Sequence, residues 1–213
     1  MIIDHNSESY INKWDKSGAN RYNGAYYYSV EIVRNIIPNV KTDRNWVTVD
    51  CGECLDHSIV FIHNNKHPEF YDWLRAYNDL VLVCGVPETV DKVKHLADHA
   101  IYLPLSVDVE EVRKYIKPKT KYKAFAGRKD KLGGCGLAFE GRVLGDMPRE
   151  QLLEALGEYE VVYAVGRCAI EAKILGCNIE PYDPRFPDPS VWQILDNREA
   201  AKILQEKLNE IDK

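Results

Sequence analysis

Short, unbroken runs of apolar residues alternate with helical patterns along most of this chain, and this alternation restricts its fold more than any other feature. Runs rich in Val, Ile, Leu and Tyr occupy residues 46–49, 58–63, 80–84 and 100–103. Helical patterns opened by a proline occupy residues 68–77 and 87–96. Continuously apolar strands are typical of parallel sheets that are buried on both faces. The first half of the chain is therefore predicted to form a parallel α/β unit.

The same alternation restarts in the second half. Strands are predicted at residues 123–126, 142–144, 161–165 and 177–181. Helices are predicted at residues 24–37, 107–116, 149–156, 167–175 and 196–211. The last of these places Ala200, Leu204, Leu208 and Ile211 on one face, so it is expected to pack against the rest of the protein.

These patterns predict an α/β fold of two small Rossmann-like halves, each with a parallel sheet, and a ligand cleft between the halves. The lysine-rich segment around Pro118 is the predicted boundary. Residues 1–117 would form the N-terminal half, residues 118–188 the C-terminal half, and residues 189–213 a helical end that packs back. A chain of 213 residues is long enough for two small units or one large domain.

The net charge of -5 conceals a strong local asymmetry. Residues 113–131 contain nine basic residues against one acid, a local charge of +8, which leaves -13 for the rest of the chain. We call this segment the basic band. It could bind an anionic ligand, or it could be a solvated, lysine-rich linker.

The six cysteines are too sparse for a disulfide scaffold. The sequence shows neither a signal-peptide pattern nor 18 consecutive apolar residues. We therefore expect a cytoplasmic protein with reduced thiols and no membrane span.

Two glycine-bearing loops follow predicted strands in the second half. At Gly166 a strand passes directly into a helix, whose first turn presents backbone N–H groups to an anion. Glu171, one turn into that helix, could reach a sugar hydroxyl of the same ligand, or it could be an ordinary surface glutamate. In the other loop, Gly127 precedes Arg128 and Lys131, two cations spaced to converge on one diphosphate or simply to form an exposed charged turn.

These motifs together resemble the donor-binding half of GT-B-type glycosyltransferases. In that family a Gly-Arg-x-x-Lys loop, here Gly127, Arg128 and Lys131, holds the diphosphate of a nucleotide sugar. A Gly-x-x-x-x-Glu-Ala helix start, here Gly166 with Glu171, places its glutamate on the ribose. The resemblance covers roughly residues 100 to 182, including a segment similar to the family's passage between its two halves.

The resemblance implies glycosyl transfer from a nucleoside diphosphate sugar to an acceptor hydroxyl, with no metal and no cofactor besides that donor. Backbone N–H groups near Arg167 and Cys168 would help to hold the leaving diphosphate. An inverting enzyme also needs a base, for which His63 is the first candidate and Asp50 the second. The acceptor could be a glycan, a protein or a modified nucleic acid.

Two departures from the family keep other functions open. The chain is about half the usual length of such enzymes. Tyr163 stands where the retaining branch has a second glutamate. A nucleotide-binding protein without catalysis, or a nucleotide-sugar epimerase, is therefore an alternative.

The Cys51-Gly-Glu-Cys54 motif, with His57 nearby, could be a redox dithiol or part of a zinc site completed by His63 or His67. Packed or surface thiols are the preferred interpretation, because only a few residues separate Cys54 from the next apolar run.

Overall fold

The computed structural model describes residues 31–48, 54–62, 68–127, 139–145, 147–181 and 188–213. Within these residues the protein is α/β, with two four-stranded sheets in which every pairing is parallel. The predicted fold class is thus confirmed at the level of two parallel α/β sheets, which is compatible with two Rossmann-like units.

The first sheet follows the order of the chain, β1-β2-β3-β4. Its strands are β1 (Asn45–Thr48), β2 (Ser58–Ile62), β3 (Leu80–Cys84) and β4 (His99–Tyr102). A 3-10 helix, Pro68–Ala76, connects β2 to β3. Helix α1 (Pro87–Val93) continues as a 3-10 turn, Lys94–Leu96, before β4. A π-helical turn, Ile32–Ile36, and a 3-10 turn, Ile37–Asn39, precede the sheet.

The two central strands of this sheet are buried along their whole length. One face of β2 and β3 packs into a cluster with Tyr71, Leu74, Val93 and Leu96 from the connecting helices. On the other face, Ile59, Phe61, Val81 and Val83 are at most 1% exposed. Both faces are therefore covered, as the continuously apolar runs predict.

The second sheet has the order β6-β5-β7-β8. Its strands are β5 (Lys121–Ala126), β6 (Arg142–Leu144), β7 (Tyr159–Tyr163) and β8 (Asn178–Glu180). Its helices are α2 (Val109–Arg113), α3 (Arg149–Leu156) and α4 (Arg167–Ile174). Helix α4 contacts both α2 and α3. The connections through α3 and α4 step across the sheet in the same direction. Right-handed crossovers therefore place both helices on the same face of the sheet, where they contact each other.

Two strands of the second sheet begin two residues earlier than their apolar runs predict. Strand β7 occupies Tyr159–Tyr163 instead of residues 161–165, and β5 begins at Lys121 instead of residue 123. The cause lies in the backbone, since Lys121 pairs with Tyr159 and two consecutive N–H groups, of Thr120 and Lys121, donate to the Glu158 carbonyl. Lys121 and Tyr122, both exposed, thus extend β5 without extending its buried apolar pattern.

Helix α2 is shorter than the predicted helix 107–116. The Asp108 carboxylate accepts a hydrogen bond from the Glu111 N–H at 2.9 Å and so caps the helix one residue before Val109. Val107 instead forms an isolated parallel bridge with Asp196. The residue at the predicted start of the helix is therefore extended.

The described residues divide into two units. Residues 31–104 and 198–213 form the first, and Leu105–Asn197 form the second. The chain passes between them at Pro104–Leu105 and again at the start of helix α5 (Asn197–Ile211), after a 3-10 turn at Pro189–Val191. The sequence placed the boundary at 117–118, but α2 contacts α4 and therefore groups with the second sheet.

Helix α5 has an apolar face that is buried as its pattern predicts. Ala200 and Leu204 are 0% exposed and Leu208 is 1% exposed. At fifteen residues, α5 is the longest described helix and is shorter than the roughly 20 apolar residues that a bilayer requires. None of the helices in the described residues qualifies as a membrane span.

Candidate ligand site at the carboxyl edge of the second sheet

The order of strands in the second sheet creates a topological switch point. The chain leaves β5 for β6 on one side and then returns to β7 on the other side of β5. The connections that follow β5 and β7 therefore diverge, and the space between them at the carboxyl ends is where open α/β sheets bind ligands. The described strands of the first sheet follow chain order and have no such point.

The two glycine loops identified in the sequence begin at this switch point. Phe125 of β5 lies opposite Tyr163 of β7, so Gly127 and Gly166 follow neighbouring strands at the same edge. The structure thus brings the beginnings of both loops together. Arg128 and Lys131, which continue the first loop, lie outside the described residues.

Gly127 continues the ladder beyond β5, because its N–H donates to the Leu144 carbonyl at 3.3 Å. A Cβ at this position would lie 3.1 Å from the ring of Phe125. The ring of Phe125 in turn packs edge-on against Phe139, which also contacts Tyr163 with ring centroids 5.2 Å apart. Tyr163 is therefore part of an aromatic cluster.

Gly166 has a φ of 62° and a ψ of -138°, a backbone conformation that residues with a side chain rarely adopt. The space around it is open, since a Cβ would meet only Leu105 at 3.8 Å. Its carbonyl accepts hydrogen bonds from the N–H groups of Ala169 and Ile170 and so starts α4. The turn into the helix thus depends on the absence of a side chain at Gly166.

Glu171 is buried, which excludes the alternative of an ordinary surface glutamate. Its Oε1 accepts hydrogen bonds from Arg149 Nε at 3.1 Å and from Arg167 Nη2 at 3.3 Å. The exposed fractions of the three side chains are 4%, 17% and 5%, respectively. We call these residues the Arg-Glu-Arg cluster. The ribose contact implied by the family resemblance stays a prediction, and Cys168 beside the cluster is half-buried.

Arg149 is a residue that sequence reasoning missed. It is the first residue of α3 and follows β6, whereas Arg167 and Glu171 belong to the helix that follows β7. Strands β6 and β7 flank β5 on opposite sides. Only the strand order reveals that residues 149 and 171 meet, so no local pattern in the sequence could have identified Arg149.

Most basic side chains in the described part of the basic band contact other residues of the second unit. Arg113 pairs with Glu110, Lys114 with Glu111, Lys117 with Glu154 and Lys121 with Glu158. Lys119 donates to the carbonyls of Gly157 and Leu175, and the Lys123 ammonium lies 5.8 Å from the Phe139 ring centroid. These contacts favour the structural interpretation for residues 113–123. The rest of the band, Arg128, Lys129 and Lys131, lies outside the described residues.

The candidate bases, Asp50 and His63, also lie outside the described residues. They follow β1 and β2, which are neighbouring parallel strands. Their roles stay predictions.

The first unit contains a separate charged network at the amino ends of its strands. The buried Arg44 guanidinium donates to Asp212 near the end of the chain and to Asp79, which directly precedes β3. His57 contacts Asp79 through Nδ1 at 2.5 Å and Asp43 through Nε2 at 3.2 Å. These hydrogen bonds raise the pKa of His57, with Asp79 as the larger cause, and lower the pKa of Asp79. The network lies at the edge opposite to the one where α/β sheets bind ligands.

The metal and redox interpretations of the cysteine motif gain no support from the described residues. Both ring nitrogens of His57 face carboxylates, and Cys54 is buried among the apolar residues of the first sheet. Among the residues that the structure describes, no group of three His, Cys, Asp or Glu side chains is arranged to hold a metal ion. Cys51, His63 and His67 lie outside that range.

Comparison of the chain with protein-family models, with curated proteins and with solved structures finds no match.

Proposed function

We propose that this protein is a GT-B-like glycosyltransferase that binds a nucleoside diphosphate sugar at the carboxyl edge of the second sheet. The observation that carries the proposal is the switch point between β5 and β7, which two glycine-bearing loops flank. This is the position at which open parallel sheets bind nucleotides. The sequence motifs that resemble the family's donor site fall on these loops and not elsewhere in the described sheets.

In this proposal each loop performs a distinct part of donor binding. Arg128 and Lys131 neutralise the diphosphate, and the start of α4 after Gly166 offers its N-terminal end to the same negative charge. Both contributions strengthen as the bond between the sugar and the diphosphate breaks, because negative charge then builds up on the leaving group. His63, or else Asp50, takes the proton of the acceptor hydroxyl.

A thermal-shift screen with nucleoside diphosphates and their common sugar conjugates tests donor binding. A ligand at 100 times its dissociation constant adds about 2.7 kcal/mol to the free energy of unfolding. We expect a shift with one nucleotide, and we expect Arg128→Ala and Lys131→Ala to abolish it. Lys129→Ala removes the same charge from the same segment and is the matched control, for which the shift should persist. The absence of a shift with every nucleotide would contradict the proposal.

Product analysis then separates transfer from the two alternatives. A glycosyltransferase releases nucleoside diphosphate slowly from the sugar donor in water and faster once an acceptor is supplied. Binding without any release would favour a nucleotide-binding protein that lacks catalysis, an alternative to which the aromatic packing of Tyr163 adds weight. Conversion of the donor into an isomer without release would identify an epimerase.

A further inference from the structure

The Arg-Glu-Arg cluster joins two helices that begin at the carboxyl edge of the second sheet. Helix α3 follows β6 and helix α4 follows β7, the strands on either side of β5. Arg149 and Arg167 are the first residues of these helices, and Glu171 lies one turn further along α4. The cluster therefore gathers charge from both sides of the strand that leads into Gly127.

Two guanidinium groups and one carboxylate thus meet in a largely buried position. A guanidinium stays protonated at any ordinary pH, so burial cannot remove its charge. Taking such charges out of water is costly, and the shared Glu171 carboxylate offsets part of that cost for both guanidinium groups.

The contacts with Glu171 hold both guanidinium groups in defined orientations. Both donate to the same oxygen of Glu171, Arg149 through Nε and Arg167 through Nη2. A guanidinium is planar and matches phosphate oxygens with parallel N–H groups. A carboxylate that fixes two such planes reduces the entropy lost when a phosphate group binds to them.

We propose that the side chains of Arg149 and Arg167 bind one phosphate group of a diphosphate and that Glu171 is a positioning residue that holds both arginines. The proposal rests on the proposed donor site and assigns Glu171 a role different from a ribose contact. The chemistry recognised is that of a diphosphate, whether it is free or part of a nucleotide.

Calorimetric titration of the full chain with inorganic pyrophosphate and with uridine, adenosine and guanosine diphosphates tests this assignment. We expect Arg149→Gln and Glu171→Gln each to raise the dissociation constant at least tenfold, both for pyrophosphate and for the nucleotide that binds. Arg142→Gln is the matched control, because it removes the same charge from the exposed amino end of β6, the strand that precedes α3. Both dissociation constants should stay within twofold of those of the unsubstituted protein.

Pyrophosphate separates the two roles of Glu171, because it has no ribose. If Glu171→Gln weakens binding of the nucleotide but not of pyrophosphate, Glu171 contacts the ribose, which overturns this inference and leaves the proposed function intact. Unchanged binding of both ligands by Arg149→Gln overturns it as well. Binding of pyrophosphate with the expected losses, but of no nucleotide, would support the phosphate subsite and overturn the proposed function. Binding of neither ligand by the unsubstituted protein would overturn both.

One further variant guards against loss of folding. Arg149→Lys keeps the charge and the attraction to Glu171 but lacks the planar fork. We expect it to unfold at nearly the temperature of the unsubstituted protein while binding pyrophosphate at least fivefold more weakly. Full affinity in Arg149→Lys would contradict a role for the fork geometry and would overturn the assignment of Arg149.

Discussion

At the scale of single residues, the second unit depends on one glycine that no motif marks. Gly157 ends α3, and a Cβ at this position would lie 2.2 Å from the Tyr115 carbonyl oxygen. The clash is with backbone, so a rotamer change cannot relieve it. We expect Gly157→Ala to lower the free energy of unfolding by about 1–3 kcal/mol in chemical denaturation. Gln151→Ala, exposed on the same helix, should change it by less than about 0.5 kcal/mol, and an equal effect of the two variants would contradict the packing described.

Lys119 shows how a residue of the basic band can be structural. Its ammonium donates to the Gly157 carbonyl at 3.0 Å and to the Leu175 carbonyl at 2.7 Å, which lie at the ends of α3 and α4. A cation at two helix C-termini is favoured by both dipoles. We predict that Lys119→Met destabilises the protein by about 1–2 kcal/mol in urea denaturation. Lys94→Met is the control, because it removes only an exposed ion pair with Asp91. Equal urea midpoints for the two variants would contradict the structural role of Lys119.

At the scale of elements, the charged network of the first unit joins segments that precede three strands. His57 and Asp79 both have positive φ angles, 58° and 53°, and they meet immediately before β2 and β3. Arg44, just before β1, links Asp79 to Asp212, which directly follows α5. The network thus attaches the end of the last helix to the amino edge of the first sheet.

This network predicts a pH-dependent stability. The pKa of His57 is raised in the folded state, first by the hydrogen bond to Asp79 and then by that to Asp43. Protonated His57 therefore stabilises the fold fully below its unfolded-state pKa of about 6.5, and this contribution is lost as pH rises through the raised folded-state pKa. Buried Arg44 also faces the ring and opposes its protonation.

Urea denaturation between about pH 6 and pH 9 measures the effect. We expect the difference in unfolding free energy between the unsubstituted protein and His57→Asn to shrink as pH rises. Asparagine is suitable because it tolerates positive φ. In an Asp79→Asn background the pH dependence of that difference should be much smaller, whereas an unchanged dependence would show that the pair does not cause it.

The elements that the sequence predicts best are those with complete apolar patterns. Strands β3 and β6 and helix α3 have the predicted bounds, because their apolar residues end where backbone pairing or a glycine ends the element. Strands β5 and β7 differ because backbone hydrogen bonds, which leave no trace in side-chain polarity, continue through Lys121 and Tyr159. Local patterns therefore predict the presence of elements more reliably than their bounds.

At the scale of the whole molecule, the sequence predicts two parallel α/β units but not the order of strands within them. That order decides which sheet has a switch point and brings Arg149 to Glu171 across two connections. Contacts of this kind, between residues far apart in the sequence, depend on the order of the strands. The spacing of residues along the sequence does not reveal that order. The sequence does predict the two glycine loops, because each has a local signal, a predicted strand followed directly by Gly127 or Gly166.

The central claim is that a nucleoside diphosphate binds at the carboxyl edge of the second sheet. Hydrogen–deuterium exchange of the full chain, with and without a saturating nucleoside diphosphate, tests it most directly. The account predicts slower exchange in peptides that contain Gly127, Gly166–Glu171 and Arg149, and unchanged exchange in peptides from the amino ends of β2 and β3. Protection confined to the first sheet, or none at any nucleotide concentration, would contradict it.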